Sequence, residues 1–167
     1  MAILPVITMD SPILHRKAKK VKNIDDSIQK LIDDMVETMH HVNGAGLAAP
    51  QVGVPLQVVV IQLPDEEEVL TLINPELVKS SEESEMMTEG CLSLPGYRAE
   101  VKRSTSVTVK GRDRQGKLVR IRGEELLAQV LQHEIDHING VVYVDHLGSL
   151  DELHKIEVED KAESGDI

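Results

Sequence analysis

The sequence predicts an α+β fold, a single compact domain in which antiparallel strands surround one central buried helix. Three observations carry this expectation. Two segments, about 26–41 and 124–139, repeat apolar residues at three- and four-residue steps. Between them lie short Val- and Ile-rich runs separated by turn residues, in the manner of hairpins. No repeat, linker or second domain interrupts the 167 residues, so 1–167 is read as one domain with an acidic tail from about 148.

In chain order, residues 5–22 hold a turn at Asp10-Ser11-Pro12 and then a basic stretch from His15 to Lys22. The first helix is expected from Asp26 to His41. Ile28, Leu31, Ile32, Met35, Val36 and Met39 mark its buried face, Asp25 or Asp26 caps its start, and Gly44 helps to end it. Strands are expected at Leu56–Leu63 and Val69–Ile73, the second ending at Asn74-Pro75, with acidic Pro64–Glu68 as their hairpin loop. Lys79–Glu85 reads as a solvated loop. Thr105–Lys110 and Leu118–Arg122 form the clearest hairpin, joined through Asp113-Arg114-Gln115-Gly116. The second helix opens at Gly123-Glu124 and runs to about Asn139, with Gly140 as its stop. Val141–Val144 is expected as a further short strand, and the tail from Leu150 combines some helical pattern with many acids.

Composition narrows the function classes. Apolar residues make up 41%, yet Phe and Trp are absent and Tyr97 and Tyr143 are the only Tyr residues. The core must be packed from Leu, Ile, Val, Met and Ala. A net charge of −11 argues against a nucleic-acid backbone as partner, because that affinity rests on Lys and Arg, and against docking on an anionic membrane. No apolar run approaches the length of a membrane span, and the start lacks the basic n-region of a signal peptide. The lone cysteine, Cys91, cannot form an internal disulfide, which suits a reducing compartment. A cytoplasmic location is expected.

The chemistry concentrates in the second helix, at His133-Glu134-Ile135-Asp136-His137. Residues four apart lie on one helix face, so both imidazoles can reach one metal ion. Glu134 follows the first histidine directly and can address a water at that metal. The pattern fixes only three positions, and such matches also arise by chance on ordinary helices. Here the helix is otherwise apolar on several sides, and buried polar groups need partners, which a metal would supply. A further ligand is required, and Cys91 is the natural candidate, as a thiolate that leaves a fourth position open. The bland alternative for a lone cysteine is a small buried hydrophobe. A third stretch, Gly44-Ala45-Gly46-Leu47-Ala48-Ala49-Pro50-Gln51, is small enough for a peptide backbone to approach edge-on, although alone it could be a simple connector.

Taken together, G-x-G-L-A-A-x-Q at 44–51, E-G-C-L-S at 89–93 and H-E-x-D-H at 133–137 resemble the three signature motifs of the peptide deformylases, in order and without a substitution. The resemblance extends over essentially the whole chain to Gly140. It implies a metal-dependent hydrolase that removes the formyl group from the N-terminal formylmethionine of nascent polypeptides. It also implies Cys91, His133 and His137 as metal ligands and Glu134 as general base and later acid. Gln51 and the Leu92 N–H would stabilise the oxyanion, with Gly46 beside the attacking water and Ala45 and Gly90 pairing with the substrate backbone. The cofactor implied is one divalent metal ion, naturally Fe2+, with Zn2+, Ni2+ or Co2+ able to occupy the site. Val130 and Leu126 share the helix face of His133 and are expected to line a methionine pocket. Asp136 is expected to pair with an arginine, Arg103 being the candidate.

One feature departs from the family. Some relatives end in a basic helix that docks on the ribosome, whereas from Gly148 onward this chain has seven acids against two lysines. Ribosome docking through this tail is therefore not expected, since ribosomal RNA repels it. Three rival readings remain open from sequence. A zinc endopeptidase shares the helical motif but takes its third ligand from His or Glu. A blue-copper protein could use the same two His and Cys with Met86 or Met87 as axial ligand. An inactive binder on the same fold is the third.

Overall fold

The structure, a computed structural model of the chain, describes residues 2–156. Local signals place the first helix, α1 (Asp26–His41), where they are expected. Asp25 stands at its N-cap and accepts from the Ile28 N–H at 3.2 Å. Ile28, Ile32, Met35 and Met39 form its buried face. Past the C-cap at Val42, Asn43 takes a left-handed φ of 55°, which asparagine tolerates better than most residues. Gly44 then donates its N–H to the Met39 carbonyl at 2.9 Å.

Two antiparallel sheets follow. The larger contains β1 (Gly46–Ala48), β2 (Val58–Ile61), β3 (Leu70–Ser80), β6 (Ser106–Arg112) and β7 (Leu118–Glu124), in the order β1-β2-β3-β6-β7. The smaller contains β4 (Ser84–Cys91), β5 (Leu94–Ser104) and the two-residue β8 (His154–Lys155), with β5 in the middle. The expected hairpins are β2–β3 around Pro64–Glu68 and β6–β7 around Asp113–Gly116. At the second turn Asp113 accepts from the Gln115 and Lys117 N–H groups, and Arg114 reaches across to Gln29 and Asp33 of α1.

Several boundaries differ from the expectation, each for a physical reason. The run expected to stop at Asn74-Pro75 continues to Ser80 as β3. It passes the proline through a register shift between Ile73 and Glu76. Asn74 takes a φ of 53° there, and its side chain exchanges two hydrogen bonds with the backbone of Val21. The loop expected at 79–85 shrinks accordingly, because β3 and β4 both run into it with exposed polar faces. The expected strand at 141–144 is instead a 3-10 turn, Tyr143–His146. Its Val142 N–H is satisfied locally by the Asp145 carboxylate at 2.9 Å, leaving no need of a partner strand. The described part of the tail forms a 3-10 turn, Leu150–Glu152, and β8; most of its acids, from 157 onward, lie outside the described residues.

The second helix, α2 (Glu125–Ile138), packs against strands of both sheets. Val130, Leu131, Ile135 and Ile138 meet Val59, Leu72, Val107 and Val109 in one apolar cluster. The stop at Gly140 is structural: its φ is 78°, and a Cβ there would stand 2.6 Å from the Arg16 carbonyl carbon. Tyr143 is the largest fully buried side chain. Among the described residues, no helix is long and apolar enough to cross a membrane.

Candidate metal centre and peptide cleft

Four residues apart on α2, His133 and His137 turn their Nε2 atoms toward each other at 3.1 Å. The chain brings Cys91 to them from the last position of β4, its Sγ 3.4 Å from His137 Nε2. All three are buried, and their donor atoms lie within 4.8 Å of one another. Ligand bonds of about 2.0–2.3 Å in a tetrahedron place neighbouring donors roughly 3.3–3.6 Å apart, so this group fits one first-row divalent ion.

The sulfur and the His133 imidazole are each held from behind. Gln51 follows β1 in a 3-10 turn, Ala49–Val52; its Oε1 accepts from the Ala48 N–H at 2.9 Å. Its Nε2 thereby faces Cys91 Sγ at 3.5 Å and Ser93 Oγ at 3.2 Å. Leu92 and Ser93 form the turn between β4 and β5, and the Ser93 N–H also donates to the sulfur at 3.5 Å. His133 Nδ1 lies 2.8 Å from Glu89 Oε1, and Arg103 clamps Glu89 through Nε and Nη2 at 2.6 and 2.7 Å. Burial alone would push Glu89 upward, but the hydrogen bonds from Arg103 and His133 outweigh it and bring its pKa down to about 2. His137 is held well below the usual imidazole range, by burial first and then by charge on His133 and Arg103.

Glu134 differs from every other polar group in the centre. Its side chain is 0% exposed, and neither carboxylate oxygen hydrogen-bonds to a described protein group. Burial raises its pKa to about 7. Gly46 of β1 faces it so closely that an added Cβ would lie 3.1 Å from Glu134 Cγ and 3.0 Å from Val130 Cγ1. A carboxylate balanced near neutrality and without a protein hydrogen bond, its nearest charged neighbour being His133 Nε2 at 3.9 Å, can take up and return a proton.

Alongside runs a cleft of about 710 Å³, lined by Ala45, Glu89, Gly90, Arg98, Leu126 and Gln129 among others. Ala45 precedes edge strand β1, and Gly90 lies on edge strand β4. Leu126 stands on the rim, 43% exposed, whereas Val130 is fully buried and is not among the residues lining the cleft. Asp136 meets the expected partner, accepting from Arg103 Nη1 at 2.7 Å. Glu89 is the residue that sequence reasoning passed over. Its signal was there: a carboxylate two residues before a candidate cysteine ligand is placed to orient a ligating histidine. Met86, one of the two methionines offered as axial ligand by the copper reading, points into solvent, 60% exposed.

A buried two-histidine, one-cysteine group beside a buried carboxylate without a hydrogen bond, and next to an open cleft, defines the class as a metal-binding hydrolase. Comparison with known proteins gives the family. The family model described as polypeptide deformylase matches residues 3–153. The peptide deformylase of Dehalococcoides mccartyi (strain CBDB1) is 54% identical over 161 residues, 96% of each chain. A crystal structure of a peptide deformylase from Legionella pneumophila superposes with a TM-score of 0.87 at 46% identity, covering 90% of this chain and 89% of that one. A second, from Synechococcus elongatus in complex with actinonin, gives 0.85 at 40% identity over 89% and 81% of the two chains. The chain belongs to the peptide deformylase family. It is accordingly a hydrolase that removes the N-formyl group from the formylmethionine of nascent polypeptides, releasing formate.

Proposed function

We propose that Glu134 is the proton shuttle of this deformylation and that Cys91, His133 and His137 hold the metal ion. The observation that carries the proposal is the buried Glu134 carboxylate without a hydrogen bond to the described protein, adjacent in the chain to His133. Cys91, His133 and His137 would hold a divalent ion, which when bound would supply a Lewis acid for the carbonyl oxygen and lower the pKa of water so that hydroxide is available near neutral pH. The substrate backbone pairs edge-on with Ala45 and Gly90, with Leu126 at the mouth and Val130 behind forming the apolar wall for methionine. Gln51 Nε2 and the Leu92 N–H donate to the negative charge that develops on the formyl oxygen. Gly46 leaves room for the attacking water beside Glu134. Glu134 takes the water proton and returns it to the leaving amine, so that formate and a free methionine N-terminus result.

The ion proposed in the cell is Fe2+; one sulfur and two imidazoles also accommodate Zn2+, Ni2+ or Co2+. Action in the cytoplasm on N-formylmethionyl peptides emerging from the ribosome is proposed, without docking through the acidic tail. Formate release from formyl-Met-Ala-Ser, with protein prepared anaerobically in Fe(II), tests the reading against Glu134→Ala. Rapid release that disappears in a variant still carrying its metal supports it; equal release from both would sink it. Metal analysis of protein purified anaerobically without added metal settles the ion.

A further inference from the structure

We infer that His146 is a positioning residue for His133, acting through Asp136, Arg103 and Glu89; the inference rests on the proposed ligand role of His133. The path is continuous. Glu89 Oε1 accepts from both His133 Nδ1 at 2.8 Å and Arg103 Nη2 at 2.7 Å. Arg103 Nη1 donates to Asp136 Oδ2 at 2.7 Å, and the same oxygen accepts from His146 Nε2 at 2.8 Å. Exposure rises along it, from Glu89 and Arg103 at 0% and 4% to Asp136 at 24% and His146 at 36%.

Each link constrains the one before it. A guanidinium is planar, so fixing two of its edges fixes its plane, and the plane of Arg103 sets which lone pair Glu89 presents to His133. A buried guanidinium also needs its donors satisfied. Asp136 is the weak link, because a partly exposed carboxylate can rotate toward water. His146 holds it in place, at the last position of the Tyr143–His146 turn. The first residue of that turn supports the assignment independently. Tyr143 stacks on His133 with ring centroids 6.2 Å apart and planes inclined by 29°. One turn therefore braces the same imidazole twice, directly through Tyr143 and through the relay from His146. His137 has no such support: among the described residues its Nδ1 finds no hydrogen-bond partner.

The test uses full-length protein loaded with Co(II), reading its visible spectrum and the rate of cobalt release to a chelator. His146→Leu should release cobalt about three- to tenfold faster, below the 10–100-fold typical of a direct partner of a ligand, and should shift the ligand-field bands. His146→Gln, whose Nε2 reaches the same place, should restore both. In an Asp136→Asn background His146→Leu should add nothing, because the two act as one unit. Wild-type release and spectrum in His146→Leu would overturn the inference, as would an undiminished effect in the Asp136→Asn background. His133→Ala separates the two claims: if it keeps cobalt as tightly as the wild type, the ligand reading itself fails.

Discussion

The two helices of this protein obey opposite rules. α1 buries Ile28, Ile32, Met35 and Met39, and the polar Asp34 and Thr38 buried with them are paired, Asp34 with Lys30 and the Ala2 N–H, Thr38 with the Asp34 carbonyl and the Leu4 N–H. α2 buries its apolar residues too, but with them Gln129, His133, Glu134 and His137. Burying an ionisable group costs free energy unless it is paired or put to use. The first helix is polar where stability permits; the second is polar where stability objects. That difference separates scaffold from centre, and substitutions in each should fail in different ways.

Glu134→Gln should show the largest effect and the cleanest division. The catalytic rate should fall by about 10²–10⁴, the range for loss of a general acid–base. Thermal stability of the metal-free protein should hold or rise, because the variant removes a buried carboxylate that no protein group satisfies. A fall in both together would erase the distinction between the helices.

Ile32→Ala is the counterpart in α1. The side chain is 0% exposed, in the cluster that joins the helix to Leu47, Val58 and Val60. Removing it should cost about 2–5 kcal/mol of unfolding free energy. Activity per folded molecule should stay at the wild-type value, as read by denaturant melts beside formate release.

Between these lies Gly46→Ala, where packing reaches into chemistry. An added methyl would press on Val130 and on Glu134 at about 3 Å. Displacing a reacting group by part of an ångström should lower kcat roughly ten- to a hundredfold, with KM little changed. A change confined to KM would show that Gly46 serves binding and does not guard the position of Glu134.

What was legible in the sequence follows the same line. α1 was legible in extent because its evidence is local: Asp25 or Asp26 as cap, one apolar face and a stop near Gly44, although the left-handed residue there is Asn43. His133 and His137, which the fold brings together with Cys91, were legible because a metal-binding pattern violates helix patterning, and Cys91 as the chain's one cysteine. The β4–β5 hairpin was not. Its edge strand, Ser84–Cys91, shows acids and methionines to solvent and has no alternation to read. Nor was the 3-10 turn at Tyr143–His146, since Val141–Val144 has strand composition but no neighbouring strand to pair with. Glu89 and His146 escaped because their meaning comes from Arg103, which tertiary structure brings between them.

The smallest effect concerns how each helix begins. Asp25 caps α1, its carboxylate held below the usual range first by the Ser27 hydroxyl and then by the Ile28 N–H. α2 starts after Glu124 without a side-chain cap, and Glu125 even takes a φ of 53°; strand pairing of Glu124 with Ser106 and the Glu125 N–H on the Thr105 carbonyl at 3.3 Å set that end instead. Asp25→Ala should lower Tm by about 2–4 °C at pH 7, while Glu124→Ala should leave it within about 1 °C. The sign with pH follows from the depressed native value. Asp25 stabilises α1 fully above its ordinary value of 3.8, and that contribution is lost as pH falls through the lower folded one. The Asp25→Ala deficit should therefore shrink in acid. Asp25→Asn keeps an accepting side chain and should match the wild type near neutrality without that loss. Melting curves for the three variants across the acid range decide it: a deficit that persists at low pH would mean that the cap acts through its hydrogen bonds without its charge, and no deficit at pH 7 would mean that α1, like α2, owes its start to tertiary contacts.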